Sequence, residues 1–308
     1  MRFWVTVATL LFPGYAQGLV HRRLRMALWA GAALAPFALA VWLPWALPGY
    51  AIVRIASAID GYRCYKRDAR PGGTNRAAAA MAVVITAVGI GVVRLSVVSY
   101  RIPSSSDYPT LLIGDHVLVN KLSTKLRGVT RGELIAFVDP CEPELDVISR
   151  VVAVAGDSVA VACDVLYVNG AAVPRVRVGD EDYVDYYDGE ASPRRSTRYH
   201  ETLGDIEHDM YIDDHGPDVL RTFPTSPPHC ERPSVAQVAG QIIDPPSPLT
   251  TDCQPHKLYV VPPGHVFVMD DNRTNANDSR VWGSVPIENV IGRLASVWMP
   301  FGRIRRVD

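Results

Sequence analysis

The sequence predicts N-terminal transmembrane helices followed by a mainly β exported domain, and two observations support this fold class. Apolar residues are concentrated before Tyr100, whereas charged residues and prolines gather after it. Beyond that boundary, short runs of branched and aromatic residues are separated by Gly, Pro and Asn turns, which is typical of antiparallel strands. A chain of 308 residues is long enough for a membrane part and one exported domain.

Composition argues against several classes of partner. The net charge of -1 lacks the basic excess that a phosphate-binding surface needs, so we predict no nucleic-acid partner. The eight histidines are scattered, and the spacing of histidines and cysteines matches no metal site. We therefore expect neither a metal nor a cofactor.

Residues 1–76 are predicted to form a membrane-associated region in which apolar segments alternate with basic loops. Residues 26–58 contain a single charge, Arg54, and their length suits either two short spans or one long tilted helix. The basic clusters at 21–25 and 62–76 are expected in the cytoplasm, because positively charged loops stay inside.

Residues 77–100 are predicted to form a transmembrane helix. There is no charge from Ala77 to Val93, and Arg94 lies near enough to the end for its side chain to reach the interface. Since both basic clusters lie inside, this helix would carry the chain to the outer side. Residues 101–308 are therefore predicted to form the exported domain.

The exported half contains several predicted strands. The first leaves a turn of three serines at residues 104–106, and a later hairpin turns at Asn169-Gly170, a pair that favours positive φ. The predicted strands and the hairpin lie, in order, within residues 117–120, 131–140, 146–157 and 165–174. Residues from about 175 to 255 are polar and rich in Pro, Gly and Asp, and only 197–208 has the pattern of a strand. We predict a loop-rich insertion there.

Four of the five cysteines lie in the exported half, where an oxidising compartment permits two disulfides. Four cysteines allow three pairings. A disulfide between Cys230 and Cys253 would cross-link the Pro-rich insertion. Cys141 and Cys163 would then form the second disulfide. The remaining cysteine, Cys64, falls in a predicted cytoplasmic loop.

The serine turn carries the first functional motif. Three serines between two prolines are, by themselves, typical of a polar turn. The run Pro103-Ser-Ser-Ser-Asp-Tyr-Pro-Thr-Leu111, followed by Gly114-Asp-His-Val-Leu-Val-Asn-Lys121, resembles the nucleophile segment of bacterial type I signal peptidases. These membrane-anchored serine proteases cut signal peptides from exported proteins. The resemblance implies that Ser106 is the nucleophile and that the Ser104 hydroxyl belongs to the oxyanion hole.

A second motif lies near the end of the chain. The run Pro262-Pro-Gly-His-Val-Phe-Val-Met-Asp-Asp-Asn-Arg-Thr-Asn-Ala-Asn-Asp-Ser-Arg-Val-Trp-Gly283 is similar to a later signature of the same family. The scaffold residues that match the family pattern are Arg150, Asp271, Arg273, Asp278, Ser279 and Arg280. The resemblance implies a signal peptidase-type β fold, signal peptides of exported preproteins as substrates, and contact with the lipid bilayer. It also implies a multi-pass protein of the bacterial inner membrane with its C-terminal domain on the periplasmic side.

The sequence departs from the family pattern at the general base. The family uses a lysine as the base of a Ser–Lys dyad, and Ser149 stands at that position. The exported half contains only three lysines, Lys121, Lys125 and Lys257, and an arginine cannot replace the base because it stays protonated. Three neighbouring positions differ as well. The family's serine, glycine and methionine are replaced by Ala276, Asp270 and Asp107, respectively.

Three hypotheses follow from this departure. In the first, the protein is an active signal peptidase in which the buried carboxylate of Asp270 replaces the lysine as base. In the second, it is a catalytically inactive relative that binds signal peptides or assists the assembly of exported proteins. In the third, Ser106 acts on another substrate, such as an ester or a site of self-cleavage.

Overall fold

The computed structural model describes residues 2–40, 46–68, 80–84, 87–88, 91, 95–187, 190–214, 218–230, 240–246 and 253–307. The chain divides into two compact units. The first contains residues 1–98 and 295–306, and the second contains residues 99–294 and 307–308.

The first unit contains four N-terminal helices, which are α1 Arg2–Leu11, α2 Tyr15–Leu19, α3 Arg23–Ala40 and α4 Ala46–Asp68. The apolar segment 26–58 is thus divided between α3 and α4, and the break between them, 41–45, lies outside the described residues. Asp60 on α4 accepts hydrogen bonds from Gln17 Nε2 at 3.0 Å, Arg25 Nη1 at 3.0 Å and Trp29 Nε1 at 2.9 Å. One carboxylate therefore holds α2, α3 and α4 together.

The predicted transmembrane helix at 77–100 lies partly outside the described residues, which omit 77–79, 85–86, 89–90 and 92–94. Within the part of the chain that is described, every helix falls short of the length or the apolar character that a membrane crossing requires. The end of the predicted helix differs from the prediction, because Val97–Arg101 form strand β1. Branched and aromatic residues favour an extended backbone, and hydrogen bonding to the next strand stabilises that conformation.

The second unit is mainly β. Its described residues include the helices α5 Lys121–Arg127, α6 Asp218–Arg221 and α7 Ser279–Trp282 and a 3-10 turn at Ile287–Asn289, whereas the 3-10 turn at Phe301–Arg303 lies in the first unit. The strands after β1 are β2 His116–Asn120, β3 Leu134–Val138, β4 Asp146–Val154, β5 Ser158–Ala162, β6 Val165–Val168, β7 Ala171–Ala172, β8 Arg175–Tyr187, β9 Glu190–Leu203, β10 Ile206–Asp213, β11 Gln241–Ile243, β12 Leu258–Val260, β13 His265–Met269, β14 Val285–Pro286, β15 Val290–Met299 and β16 Arg305–Arg306.

These strands form three sheets. The largest has the order β1-β2-β15-β3-β4-β13-β14, with β16 paired to β15, and a second has the order β11-β12-β5-β6-β7. Buried side chains of β4, β5, β12 and β13, among them Val152, Val161, Tyr259 and Phe267, form one core cluster. The prediction of antiparallel β structure is confirmed, and Asn169 and Gly170 have the positive φ values, 54° and 78°, expected of the hairpin turn.

The region predicted as a loop-rich insertion is different in its first half. Residues 175–213 form a three-stranded antiparallel sheet of order β10-β9-β8. The prediction failed because β8 is rich in charges and contains Gly179, where the register shifts. Opposite charges on β8 and β9 stabilise the pairing of the two strands. Arg198 lies 2.9 Å from Glu181, and Arg195 lies 3.8 Å from Asp180.

The disulfides also differ from the pairing that the sequence favoured. Cys141 is joined to Cys230, and Cys163 is joined to Cys253. Cys141 and Cys230 pack against the same core cluster around Phe137 and Trp282, although they lie 89 residues apart in the chain. Proximity along the chain was a poor guide, because antiparallel pairing brings distant segments together.

A buried ion pair connects the large sheet to the second motif. Arg150 on β4 donates from Nε to Asp271 Oδ1 and from Nη2 to Asp271 Oδ2, both at 2.7 Å, and both side chains have no exposed surface. Its Nη1 donates to the carbonyl oxygen of Gly132 at 2.6 Å. Thr110, beyond the serine turn, donates its hydroxyl hydrogen to the same carboxylate. The pair therefore joins three segments that are distant in sequence.

We predict that Asp271→Ala lowers the free energy of unfolding by about 3–5 kcal/mol, because it leaves the Arg150 guanidinium buried without its counter-charge. Urea denaturation of the detergent-solubilised chain, followed by tryptophan fluorescence, measures the change. Asp244→Ala is the control, since it breaks an exposed pair with Lys257 and should cost less than about 1 kcal/mol. Equal losses in the two variants would contradict the prediction.

Candidate active site

The serine turn is held in shape by its own backbone. Tyr108 N donates to Ser105 O at 3.1 Å, and Leu111 N donates to Asp107 O at 2.9 Å. Ser104 is exposed and Ser106 is half-buried, and their hydroxyl oxygens lie 3.3 Å apart. The two serines that the sequence singled out are therefore neighbours at the surface of one turn.

The second motif meets this turn directly. Asn272 N donates to the carbonyl oxygen of Ser106 at 2.9 Å, and Asn272 Nδ2 donates to the carbonyl oxygen of Ser105 at 3.1 Å. The two motifs thus form one site, with Ser106 fixed against the segment that follows β13.

Strand register brings Ser149 and Asp270 together. In the antiparallel pair of β4 and β13, Arg150 is opposite Met269, so the next position along the ladder sets Ser149 opposite Asp270. Side chains at directly opposed positions point to the same face of a sheet. Both residues are buried, and both have an oxygen, Ser149 Oγ and Asp270 Oδ1, without a hydrogen-bond partner among the described residues. The Asp270 carboxyl group thus lies beside Ser149.

The environment of Asp270 makes it a stronger base than an ordinary carboxylate. Burial raises the pKa of Asp270 well above its usual range, and the negative charge of Asp278 raises it further. The hydroxyls of Ser149 and Ser106 lower the pKa by stabilising the ionised form. Within the described residues, no hydrogen bond of ordinary length joins Ser149 Oγ or Asp270 Oδ1 to another group. Catalytic contacts of this kind often tighten only when substrate is bound.

Asp107 is a second buried carboxyl group beside the nucleophile. Burial raises the pKa of Asp107 well above the usual carboxyl range, and the charges of Asp270 and Asp271 raise it further. The Arg150 guanidinium and the backbone N–H of Asp271 act in the opposite direction. Its Oδ1 is also buried without a hydrogen-bond partner among the described residues.

The other matched scaffold residues form ion pairs around the site. Asp278 accepts from Arg280 Nε at 2.9 Å and from Arg280 Nη2 at 2.6 Å, and its Oδ2 accepts from Asp270 N at 3.2 Å. Arg273 does not reach the nucleophile and instead pairs with the buried Glu201 on β9. The scaffold residues thus position backbone segments, while the Asp270 carboxyl interacts with the hydroxyls of Ser149 and Ser106.

The lysines of the second unit are placed elsewhere. Lys257 pairs with Asp244 at 2.6 Å, and Lys121 and Lys125 lie on α5. Ser149, which the sequence comparison predicts at the lysine position, has no exposed surface. A carboxylate is therefore the basic group that the structure brings to Ser106.

Sequence analysis missed the residues that support the turn from the side. Ser105 is buried and donates its hydroxyl hydrogen to Asp185 on β8, and Asn275 Nδ2 donates to Ser105 Oγ and to Asp185 Oδ2, each at 3.1 Å. Tyr183 on the same strand accepts from Asn272 Nδ2 at 2.8 Å. The spacing of two positions between Tyr183 and Asp185 was the available sign that these residues share one face of a strand.

Comparisons with known proteins extend over most of this region. Residues 75–299 match the family described as signal peptidase, peptidase S26. Signal peptidase I of Aquifex aeolicus (strain VF5) is 33% identical over 208 residues, covering 63% of this chain and 73% of that protein. Signal peptidase I of Pseudomonas aeruginosa is 31% identical over 223 residues, covering 65% of this chain and 64% of that protein. A solved signal peptidase I from Enterococcus faecalis V583 is 20% identical, with a TM-score of 0.26. That match covers 54% of this chain and 97% of the other.

We predict that Asp185→Ala loosens the serine turn. Loss of a hydrogen bond to a charged group costs about 1.5–3 kcal/mol, so the amides of Tyr108 and Leu111 should exchange with deuterium about tenfold faster or more. Hydrogen exchange with mass spectrometry of peptides from residues 103–112 measures the change. Asp180→Ala on the same strand is the control, because Asp180 is partly exposed and bonds to Thr197 and Arg177 instead. Unchanged exchange in the Asp185 variant would contradict a supporting role.

Proposed function

Because the chain belongs to the signal peptidase family, peptidase S26, we propose that it is a membrane-attached serine endopeptidase that cleaves signal peptides from exported preproteins. The observation that supports catalysis in this chain is the contact of the Ser106 hydroxyl with the buried carboxyl of Asp270. A serine hydroxyl is a poor nucleophile until a base takes its proton, and Asp270 is the base at hand.

In the proposed first half-reaction, Ser106 Oγ attacks the carbonyl carbon of the scissile bond while its proton passes to the Asp270 carboxylate. The carbonyl oxygen becomes an oxyanion, and the Ser104 hydroxyl, 3.3 Å from Ser106 Oγ, is placed to donate a hydrogen bond to it. Asp270 then returns the proton to the leaving amine. The mature protein departs, and the signal peptide stays attached to Ser106 as an ester.

In the second half-reaction, water replaces the leaving amine in the same geometry. Asp270 takes a proton from the water, the resulting hydroxide equivalent attacks the ester carbonyl, and Ser106 regains its proton as the signal peptide carboxylate leaves. The raised pKa of Asp270 matters in both steps, because a base is most effective when its pKa lies near the working pH.

The N-terminal region is proposed to attach the protein to the bacterial inner membrane as a multi-pass anchor. Support comes from the apolar segment 26–58, the uncharged segment 77–93 and the basic clusters that flank them. The two disulfides of the second unit suit an oxidising, periplasmic location for residues 101–308. Cleavage would then take place close to the outer surface of the lipid bilayer.

Replacement of Ser106 or Asp270 should abolish processing. We predict that Ser106→Ala removes cleavage of a preprotein by the detergent-solubilised full chain, because no nucleophile remains. Asp270→Asn keeps the shape of the side chain but cannot accept the proton, so the rate should fall about 10²–10⁴-fold. Gel analysis of the preprotein and its mature product measures both effects.

Asp139→Asn is the matched control, since it changes another buried carboxylate, one that accepts from the backbone N–H groups of Cys141 and Glu142. Loss of cleavage in Ser106→Ala alone would assign the base to another group. A parent protein that binds the preprotein without cleaving it would favour the non-catalytic binding relative. Cleavage of a simple ester but not of the preprotein would instead favour a different substrate for Ser106.

The lysine dyad of the family should be recoverable by design. We predict that Ser149→Lys alone is inactive, because the ammonium would lie opposite the Asp270 carboxylate and the ion pair would keep both groups from acting as a base. The combination of Ser149→Lys, Asp270→Gly and Asp107→Met removes both acids and should cleave again through a deprotonated lysine. The initial rate of preprotein cleavage is the measurement. Full activity in the single variant would contradict Asp270 as the group opposite residue 149.

A further inference from the structure

Four carboxyl groups surround the nucleophile, and only two of them have an arginine. Asp271 is bound in bidentate fashion by Arg150, and Asp278 is bound in the same way by Arg280. Asp107 and Asp270 form no ion pair within the described residues, although both side chains are almost fully buried, with 4% and 3% of their surface exposed. Two ionised carboxylates in such a position would carry a large electrostatic cost.

The two unpaired carboxyls both adjoin the backbone N–H of Asp271. Asp107 follows Ser106 directly, and its carboxyl accepts a hydrogen bond from the backbone N–H of Asp271. Asp270 precedes that same N–H and faces the hydroxyls of Ser106 and Ser149. Each has an Oδ1 atom that is buried without a hydrogen-bond partner in the part of the chain described. The two acids also adjoin one backbone contact, since Asn272 N donates to the carbonyl oxygen of Ser106 at 2.9 Å.

We infer that Asp107 and Asp270 hold one proton between them, with Asp107 neutral and Asp270 ionised when the site is ready to react. This assignment rests on the proposed function and gives Asp107 a positioning role that the resemblance to the family does not supply. In the reaction, the proton of Ser106 passes to Asp270, while Asp107 keeps its own proton throughout. The total charge of the two acids and the nucleophile is therefore unchanged during attack.

The surroundings explain why the proton remains on Asp107. The negative charges of Asp270 and Asp271 both oppose ionisation of Asp107, and Arg150, the cation that faces it, is already bound to Asp271. The charge of Asp270 is opposed by Asp278 but stabilised by two serine hydroxyls and by Arg280. His208 approaches from β10, at 3.6 Å from Asp271 Oδ1, and burial lowers its pKa, so it adds no fixed positive charge. The retained proton is accordingly assigned to Asp107.

A two-limbed pH dependence follows from this assignment. As the pH rises through the pKa of Asp270, the base becomes ionised and the rate increases. As the pH rises further through the pKa of Asp107, a second negative charge enters the site and opposes formation of the oxyanion, so the rate decreases. Both pKa values lie above the usual carboxyl range, so both limbs lie at a higher pH than ordinary carboxyl groups would give.

The first test detects the proton itself and needs no turnover. Infrared spectroscopy of the full chain in detergent should show the carbonyl band of a buried, protonated carboxyl group that is missing in Asp107→Asn and kept in the control Asp139→Asn. In Asp270→Asn the neighbouring charge is removed, which lowers the pKa of Asp107, so the band should disappear at a lower pH than in the parent. A band that is unaffected by either substitution would overturn the inference.

The second test uses the rate. In Asp107→Asn the alkaline limb of kcat/KM should vanish while the acid limb remains. Two pH units above the midpoint of the parent's alkaline limb, the variant should therefore be roughly 100-fold faster than the parent, each normalised to its own maximum. A residue that only supported the fold would lower the rate equally at every pH, and a persistent alkaline limb would overturn the inference.

Two further outcomes distinguish a failure of the proposed function from a failure of this inference. A parent that shows the infrared band but no cleavage would retain the acid pair and contradict only the proposed function. Disappearance of the band on addition of Mg²⁺ or Ca²⁺ at constant pH would mean that a cation, rather than a proton, compensates the pair, and the inference would be wrong.

Discussion

The geometry of the site depends on the buried pairing of Arg150 with Asp271. These residues immediately follow Ser149 and Asp270 in the chain, so their bidentate contact fixes the register that sets Ser149 and Asp270 opposite each other. The same carboxylate accepts a hydrogen bond from the hydroxyl of Thr110, which connects the serine turn to the sheet. A buried pair of this kind contributes little net stability when compared with apolar residues, but it leaves a large penalty for every arrangement in which it is broken. Its role is therefore to specify one arrangement of three segments.

The proposed replacement of the family's lysine by a carboxylate depends on the sizes of the residues at positions 149 and 270. Ser149 on β4 is small, and Asp270, which follows β13, is the next residue opposite it; both are buried. The neighbouring scaffold is preserved, with Asp278 and Arg280 bound to each other and the backbone N–H of Asp270 held by Asp278 Oδ2. In the proposed mechanism the basic group is therefore a carboxyl group just after β13 rather than a lysine on β4.

Sequence reasoning predicted the parts of the fold that are encoded locally or by long motifs. The hairpin at Asn169-Gly170, the strand at Asp146–Val154 and the proximity of Ser104 to Ser106 all follow from residues close together in the chain. Features that depend on distant pairing were missed. The disulfide partners are about 90 residues apart, and β8 is stabilised by cross-strand charges that a single segment does not reveal. The burial of Asp107 could not be predicted from the sequence either, because an aspartate in a serine-rich turn is usually exposed.

A change in the sign of the base changes what the rest of the site must supply. A neutral lysine becomes a cation when it takes the proton of serine, and that new positive charge attracts the developing oxyanion. A carboxylate instead becomes neutral, so the negative charge moves from Asp270 to the oxyanion and no attraction is created. Such a transfer is favourable only if no other negative charge stands beside the nucleophile. Asp107 is the residue that decides this condition, since it adjoins Ser106 and has no arginine of its own among the described residues. The aspartate at position 270 and the protonation of its neighbour at position 107 are in this sense one adaptation, because the first can act as a base only while the second remains neutral.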